Sequence, residues 1–545
     1  MKIGYLKLFF GFFLIASLGA MALFGYKFFL EQKSKISELI KPLLPEKKRD
    51  LPDDSLEEKN SFFNLFKGSK DGLIVDLVRG ICKKKWIPVE VKKLCQKISG
   101  QEWLVIFVHG TFGSTMSLLD LPTVNNDKIE GSDYKKLIDK MRNKPIFWRE
   151  QPVLARGLVP VDPLIPALNE EEALSGAKPI IKAFGEIDKH FNRSRVCRFY
   201  TYGWSGLLSQ QRRRREAIRF YNELSEELDR LAEQEGIFEP KIEIIAHSHG
   251  GNLSLNLAGV YHVLNGGMDQ LIDKKLPTER EFSEQINHLK QKYEIERPIG
   301  LQRRFDYFPT KKNLKIDRLI MIGTPVQPKT YGLSASEMFG QVLNIYSDED
   351  AVQMMDYVSC CSDTDHRTFK LKDEFADRDV YQIKVSISSS DLLKGSTLKI
   401  KDQKASSLPW WKVFMGMRST LRSSWDPTHK ELWFLVDDFG QDEPEVLKPL
   451  PIAAFAPMIV CAIEHGLEFE KELDIDFSVQ ASRLVVSVAK HGTGDFRIVR
   501  GLPYNLVRGL RNSVSQEIIR SEDQERIKTF IKELMDYWKK IHVGG

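Results

Sequence analysis

From residue 101 onward, two kinds of apolar pattern alternate along the chain. Trp103-Leu104-Val105-Ile106-Phe107-Val108 is apolar throughout, the pattern of a strand covered on both faces. Val196 to Tyr202, Ile242 to Ile245, Leu319 to Ile322, Val342 to Ile345 and Val380 to Ile387 predict further strands. Helical patterns stand between them. In Ser209 to Glu235, the residues Ala217, Tyr221, Leu224, Leu228 and Leu231 recur three or four apart, and Gly236 sits where such a helix would end. His249 to Leu264 predicts a second helix. This alternation implies right-handed crossovers and an α/β fold, with a mostly parallel central sheet flanked by helices over residues 99–440.

Two segments interrupt the alternation. Residues 113–195 are too long for one crossover and predict a cap or lid, with Phe147, Trp148, Leu154, Leu158 and Leu164 as its apolar face. Residues 265–315 are polar and basic, with Lys290, Lys292, Arg297, Arg303, Arg304, Lys311 and Lys312, and read as a solvated face or as a patch for a membrane surface or an acidic partner. The acidic, proline-bearing stretch Gly440 to Pro451 predicts a boundary, and residues 441–545 read as a small C-terminal α+β module. Its last helix carries a capping box at Ser521 and Gln524, with Ile527, Phe530, Ile531, Leu534 and Trp538 on one face.

At the other end, Leu8 to Tyr26 carries no charge and is flanked by Lys7 and Lys27. About 20 apolar residues cross a hydrocarbon core as a helix, so residues 1–30 predict a single-pass transmembrane anchor. A cleaved signal peptide is the other reading, with Ala20-Met21-Ala22 as its cleavage site. Apolar residues continue to Leu30, which favours the anchor, and both readings imply export to or across a membrane. Residues 31–98 read as a charged linker followed, from 61, by an amphipathic helical segment.

Composition narrows the class. The 545 residues are 42% hydrophobic and 28% charged, which excludes a wholly disordered chain, a polytopic transporter and a collagen-like fibre. A net charge of +5, from 80 basic against 75 acidic residues, leaves no nucleic-acid footprint. Six cysteines are too few for a disulfide scaffold. They show no zinc spacing, so they read as free thiols, with a Cys82–Cys95 bridge open if that part is exported.

The sharpest chemical signal is Ile242-Glu243-Ile244-Ile245-Ala246-His247-Ser248-His249-Gly250-Gly251. A buried strand runs into a small-x-Ser-x-Gly turn and then a helix, which holds a serine hydroxyl exposed on a strained bend. The second signal is His109-Gly110-Thr111-Phe112-Gly113-Ser114, directly after the first strand. An acyl-transfer enzyme needs two amides aimed at a developing oxyanion, and one such donor is worth roughly 3–4 kcal/mol. Thr111 (or Phe112) and His249 are placed to supply them, while His109 reads as a structural histidine that orders the turn.

These motifs, in this order, resemble the α/β-hydrolase superfamily, in particular its lipases and esterases. Phe199-Tyr200-Thr201-Tyr202-Gly203-Trp204-Ser205-Gly206, Arg212 to Arg215 and Gly323-Thr324-Pro325 add to the resemblance, which covers about 101–440. It implies the order nucleophile, acid, base. The acid is then Asp350, with Asp348 as fallback. Among His429, His465 and His491, His429 resembles the family's base loop, with an insertion at about 388–420; His491 is the runner-up, and His366 comes too soon after the acid.

The expected function is a membrane-associated serine hydrolase that cleaves carboxylic esters, lipid-like ones first. Ser248, Asp350 and His429 would be catalytic, Thr111 and His249 would form the oxyanion hole, and no cofactor or metal is implied. Two alternatives stay open: an acyltransferase on the same residues, and a non-catalytic, membrane-tethered binding module.

Overall fold

The computed structural model describes residues 101–111, 132–148, 151–154, 157–163, 175–192, 195–265, 313–327, 330–350, 353, 367–369, 378–388, 427, 429–433, 450–466, 470–518 and four positions between 529 and 536. Every predicted strand forms. They are β1 (Gln101–Val108), β3 (Arg195–Tyr202), β4 (Lys241–His247), β5 (Ile316–Ile322), β6 (Phe339–Tyr346) and β7 (Val380–Ile387). Four more complete a ten-stranded sheet: β2 (Leu158–Val161), β8 (Glu472–Gln480), β9 (Arg483–Lys490) and β10 (Arg497–Pro503). The order is β10-β9-β8-β7-β6-β5-β4-β1-β3-β2. β3, β1, β4, β5, β6, β7 and β8 run parallel, while β2 and the β9–β10 hairpin are antiparallel additions at the two edges.

The unbroken apolar runs are explained by two cores, one on each face. Val105 and Phe107 of β1, Ile245 of β4 and Ile320 of β5 face α2 (Ala177–Phe191), α5 (His429–Trp433) and α6 (Ala456–Gly466). Leu104 and Ile106, Ile244 and Ala246, and Leu319 and Met321 face α3 (Gln210–Arg230) and α4 (His249–Asn265). Alternate side chains of one strand point to opposite faces, so a strand covered on both must be apolar at every position. Phe107 is fully buried edge-on against Phe184, and its truncation to alanine would cost about 3–5 kcal/mol.

The long predicted helix begins at Ser209, the start of the periodic stretch. The Ser209 hydroxyl accepts the Arg212 amide, and the last turn widens into a π turn before Gly236 takes a left-handed φ of 71°.

Two expectations change. Residues 113–195 are not a simple lid where they are described. They form α1 (Asp133–Arg142), the edge strand β2 and α2, and Trp148 and Leu154 are buried in the core, while Phe147 packs partly buried against it. The segment after 440 does not stand apart as a module: β8 pairs along β7 from Gln382↔Glu472 to Ile387↔Phe477. Among the described residues no helix is long and apolar enough to cross a membrane. The anchor or signal segment 1–30, the linker 31–98, nearly all of the basic segment 265–315 and most of the last helix lie outside the described residues. Cys197 and Cys461 are free thiols.

At the end of the strands where β4 begins, Glu243 is fully buried between two guanidiniums. Arg195 reaches it at 2.8 and 3.2 Å and Arg318 at 3.0 Å, and the Arg195 guanidinium lies 4.1 Å over the Trp103 ring. Burial works against charge on Glu243, yet Arg195 and then Arg318 outweigh it and hold the carboxyl below its usual range.

Candidate active site

Ser248 lies between the end of β4 and the start of α4. Its φ is 51°, a left-handed conformation that costs a side-chain-bearing residue about 1–2 kcal/mol. The bend is held from both sides, as the Ser248 amide donates to the Ile322 carbonyl at 2.9 Å and the Gly251 amide donates to the Ser248 carbonyl at 2.9 Å. The small residues are required by close approach. A Cβ at Gly250 would strike the carbonyl oxygen of His109, and one at Gly251 would strike the Thr324 side chain. The first turn of α4 thus packs directly on the end of β1.

That contact brings the predicted oxyanion turn to the serine. A Cβ at Gly110 would stand 2.6 Å from the Ser248 Cβ. Thr111 follows Gly110, and its hydroxyl is buried with no hydrogen-bond partner among the described residues. His249 opens α4, so its amide belongs to the positive end of that helix.

His109 holds the turn in shape. The Trp204 amide donates to its Nε2 at 3.0 Å, so the proton sits on Nδ1, which donates to the Gly110 carbonyl at 2.7 Å. The Trp204 indole donates to the His109 carbonyl at 2.7 Å, and the two rings stack at 5.6 Å. Burial pushes the His109 imidazole down to about 3, so it stays neutral in this frame. The Phe199–Gly206 phrase in the sequence therefore serves the turn after β1.

The acid and base candidates meet. Asp350 is fully buried, and its Oδ2 accepts from His429 Nδ1 at 2.8 Å. Its Oδ1 accepts the Gln353 amide at 3.1 Å. With Nδ1 protonated, His429 Nε2 is left as the acceptor. Gly323, with a φ of 60°, passes so close to this pair that a Cβ there would stand 2.9 Å from Asp350 Oδ2 and 3.1 Å from His429 Nδ1. Asp348, the fallback acid, is half exposed and pairs instead with Lys384 and Arg367. His491, the runner-up base, is exposed in the β9–β10 turn, where it bonds Asp474 at 2.7 Å. The His491 amide bonds Glu472, at the start of β8, so His491 stands at the end of the sheet opposite Ser248. His465 is exposed near the end of α6, and His366 lies outside the described residues.

Among the described residues no hydrogen bond joins the Ser248 hydroxyl to His429. The acid–base half of a proton relay is closed and the nucleophile–base half is open, as is common in sites without substrate. Two neighbours of this pair carry no separate sequence signal. Trp433 stacks on His247 with ring centroids 5.2 Å apart, and Gln353 ties the acid loop to the Thr324 carbonyl at 2.9 Å.

A separate groove of about 1060 Å³ runs along β2, β3 and α3. Its charges pair with one another, as in Arg212–Glu216 and Arg230–Glu227, and Ser248, Asp350 and His429 do not line it. No group of three or more His, Cys, Asp or Glu residues able to hold a metal occurs among the described residues.

No protein-family model matches the chain, and neither a curated protein nor a solved structure matches it.

Proposed function

We propose that the protein is a serine hydrolase of carboxylic esters, with an α/β-hydrolase fold similar to that of lipases and esterases. One observation carries the reading: Asp350 and His429 are joined at 2.8 Å, and they reach the same rim of a parallel sheet as a serine held at positive φ. Strand-to-helix serine turns with the order Ser, Asp, His belong to that chemistry.

In this mechanism His429 Nε2 takes the proton of the Ser248 hydroxyl as its oxygen attacks the ester carbonyl. The oxyanion rests on the amides of Thr111 and His249. The C–O bond then breaks, and His429 returns the proton to the leaving alcohol. Water, deprotonated by the same imidazole, attacks the acyl-enzyme and releases the acid. Asp350 keeps the proton on Nδ1 and stabilises the imidazolium without accepting it. The uncharged segment Leu8 to Tyr26 adds that the enzyme is tethered at a membrane and acts on lipid-like esters.

The test is labelling with a fluorophosphonate together with turnover of p-nitrophenyl esters of increasing chain length. Wild type is expected to label at Ser248 and turn over, and S248A to do neither while remaining folded. Labelling that persists in S248A sinks the assignment. Faster product formation with an added acceptor alcohol than with water would move the reading to an acyltransferase.

A further inference from the structure

We infer that His247, the residue before the candidate nucleophile, is a positioning residue for the base, tying the main chain of His429 to the strand that carries Ser248. The kinetic part of this inference rests on the hydrolase reading above; the structural part does not.

His247 ends β4 and is 2% exposed. The alternation of the strand sends Ala246 to the face of α3 and α4, and sends Ile245 and His247 to the opposite face, where α5 lies. There its Nε2 lies 3.2 Å from the carbonyl oxygen of His429, so the N–H donates to that carbonyl. The two imidazole centroids are 4.4 Å apart, and on the Trp433 ring His247 stacks at 8°.

α5 has five residues, too few to be stable as an isolated helix. Its place depends on what grips it. Leu432 and Trp433 are fully buried and hold its far end. At its first residue there are two grips: Asp350 takes the ring of His429 through Nδ1, and His247 takes its carbonyl. A ring fixed by one atom can still swing with its backbone. Fixing the backbone as well sets where Nε2 stands relative to the adjacent Ser248 hydroxyl. Misplacing a catalytic group by about 1 Å costs on the order of 100-fold in rate. Burial first, then the neighbouring His429, push the His247 imidazole well below its usual range, so it does not compete for the proton.

The experiment compares H247Q, whose amide nitrogen reaches as far as Nε2, with H247N, whose amide stops short. On a p-nitrophenyl ester, H247N is expected to lose about 10- to 100-fold in kcat with KM changed less than about twofold, and H247Q to recover to within about threefold of wild type. Hydrogen–deuterium exchange over residues 429–433 is expected to speed up in H247N and not in H247Q. H247F, which keeps the ring stack and lacks the donor, replaces H247N should that variant not fold. Wild-type kcat in H247N, or an H247Q as impaired as H247N, overturns the inference. A wild type without esterase activity sinks the hydrolase reading alone, and exchange over 429–433 unchanged in H247N then overturns the positioning role independently.

Discussion

Asp350 and His429 stand 79 positions apart in the chain and 2.8 Å apart in the fold. The carboxylate is fully buried and both its oxygens are occupied, one by the imidazole and one by the Gln353 amide. Asp348, two residues earlier, points to the surface and to Lys384 and Arg367. The two aspartates therefore separate in a mutational test. D350N is expected to lower kcat by about 10⁴-fold by favouring the wrong tautomer, as removal of the orienting acid does in serine triads. D348N is expected to change kcat less than about threefold, since exposed ion pairs contribute little. Steady-state kinetics on a chromogenic ester decides it; equal losses in both would reject the distinction.

The backbone of Ser248 stores strain that glycine would release. S248G is expected to raise unfolding stability by about 1 kcal/mol and abolish labelling, whereas S248A abolishes labelling with no such gain. Urea unfolding of the three proteins measures it. Equal stability of wild type and S248G would mean the bend is not strained.

Buried neutral histidines make the fold sensitive to acid. His262 Nε2 and Ser336 Oγ share a hydrogen bond at 2.7 Å, and burial pushes the imidazole down to about 4; His109 goes down to about 3. Below the ordinary imidazole value of 6.5, the unfolded chain takes up protons that the native protein refuses, so stability falls as the pH falls. Each such histidine contributes a slope of about 1.4 kcal/mol per pH unit until its own folded value is reached. H262Q, whose amide oxygen can accept the Ser336 proton, is expected to flatten the slope by about that amount between about pH 6 and 4.5. Unfolding midpoints measured across that range give the difference, and parallel curves for the two proteins would refute it.

Glu243 sits between two guanidiniums at the far end of the sheet. E243Q removes the charge, while Arg195 keeps Asp188 at 3.6 Å and Arg318 keeps Glu464 at 2.6 Å, so the expected cost is about 3 kcal/mol, the low end for a broken buried pair. Because the carboxyl is held below its usual range, its contribution is present at neutral pH and is lost as the pH falls through the carboxylate range. Chemical denaturation should show the loss, with turnover per folded molecule retained. A variant as stable as wild type would mean the cluster contributes nothing net.

The sheet was legible in the sequence because burial on both faces leaves no polar interruption in runs such as Leu104–Val108. β2 was not. It has four residues, includes Pro160 and lies at an edge, where proline is tolerated and alternation is too short to read. Ser248 was legible through its small neighbours, since a Cβ at Gly250 would strike the His109 carbonyl and one at Gly251 the Thr324 side chain. Choosing Asp350 over Asp348 needed three dimensions, because the deciding partners are Lys384 and Arg367, far along the chain. Nothing in the sequence marks His247 beyond its place beside Ser248. Its direction is what brings it onto α5, and a strand's alternation shows this only once the far face is known to hold that helix.

The bonding of β8 to β7 has a consequence for gene products of reduced length. A premature stop codon anywhere between about 440 and 470 spares every residue of the candidate triad, yet it strips β7 of its neighbour. The raw border that remains is apolar on one face, through Tyr381, Ile383, Val385 and Ile387, and has open main-chain donors and acceptors, an invitation to stick to other chains. Such a polypeptide is expected to precipitate rather than to work as a trimmed enzyme.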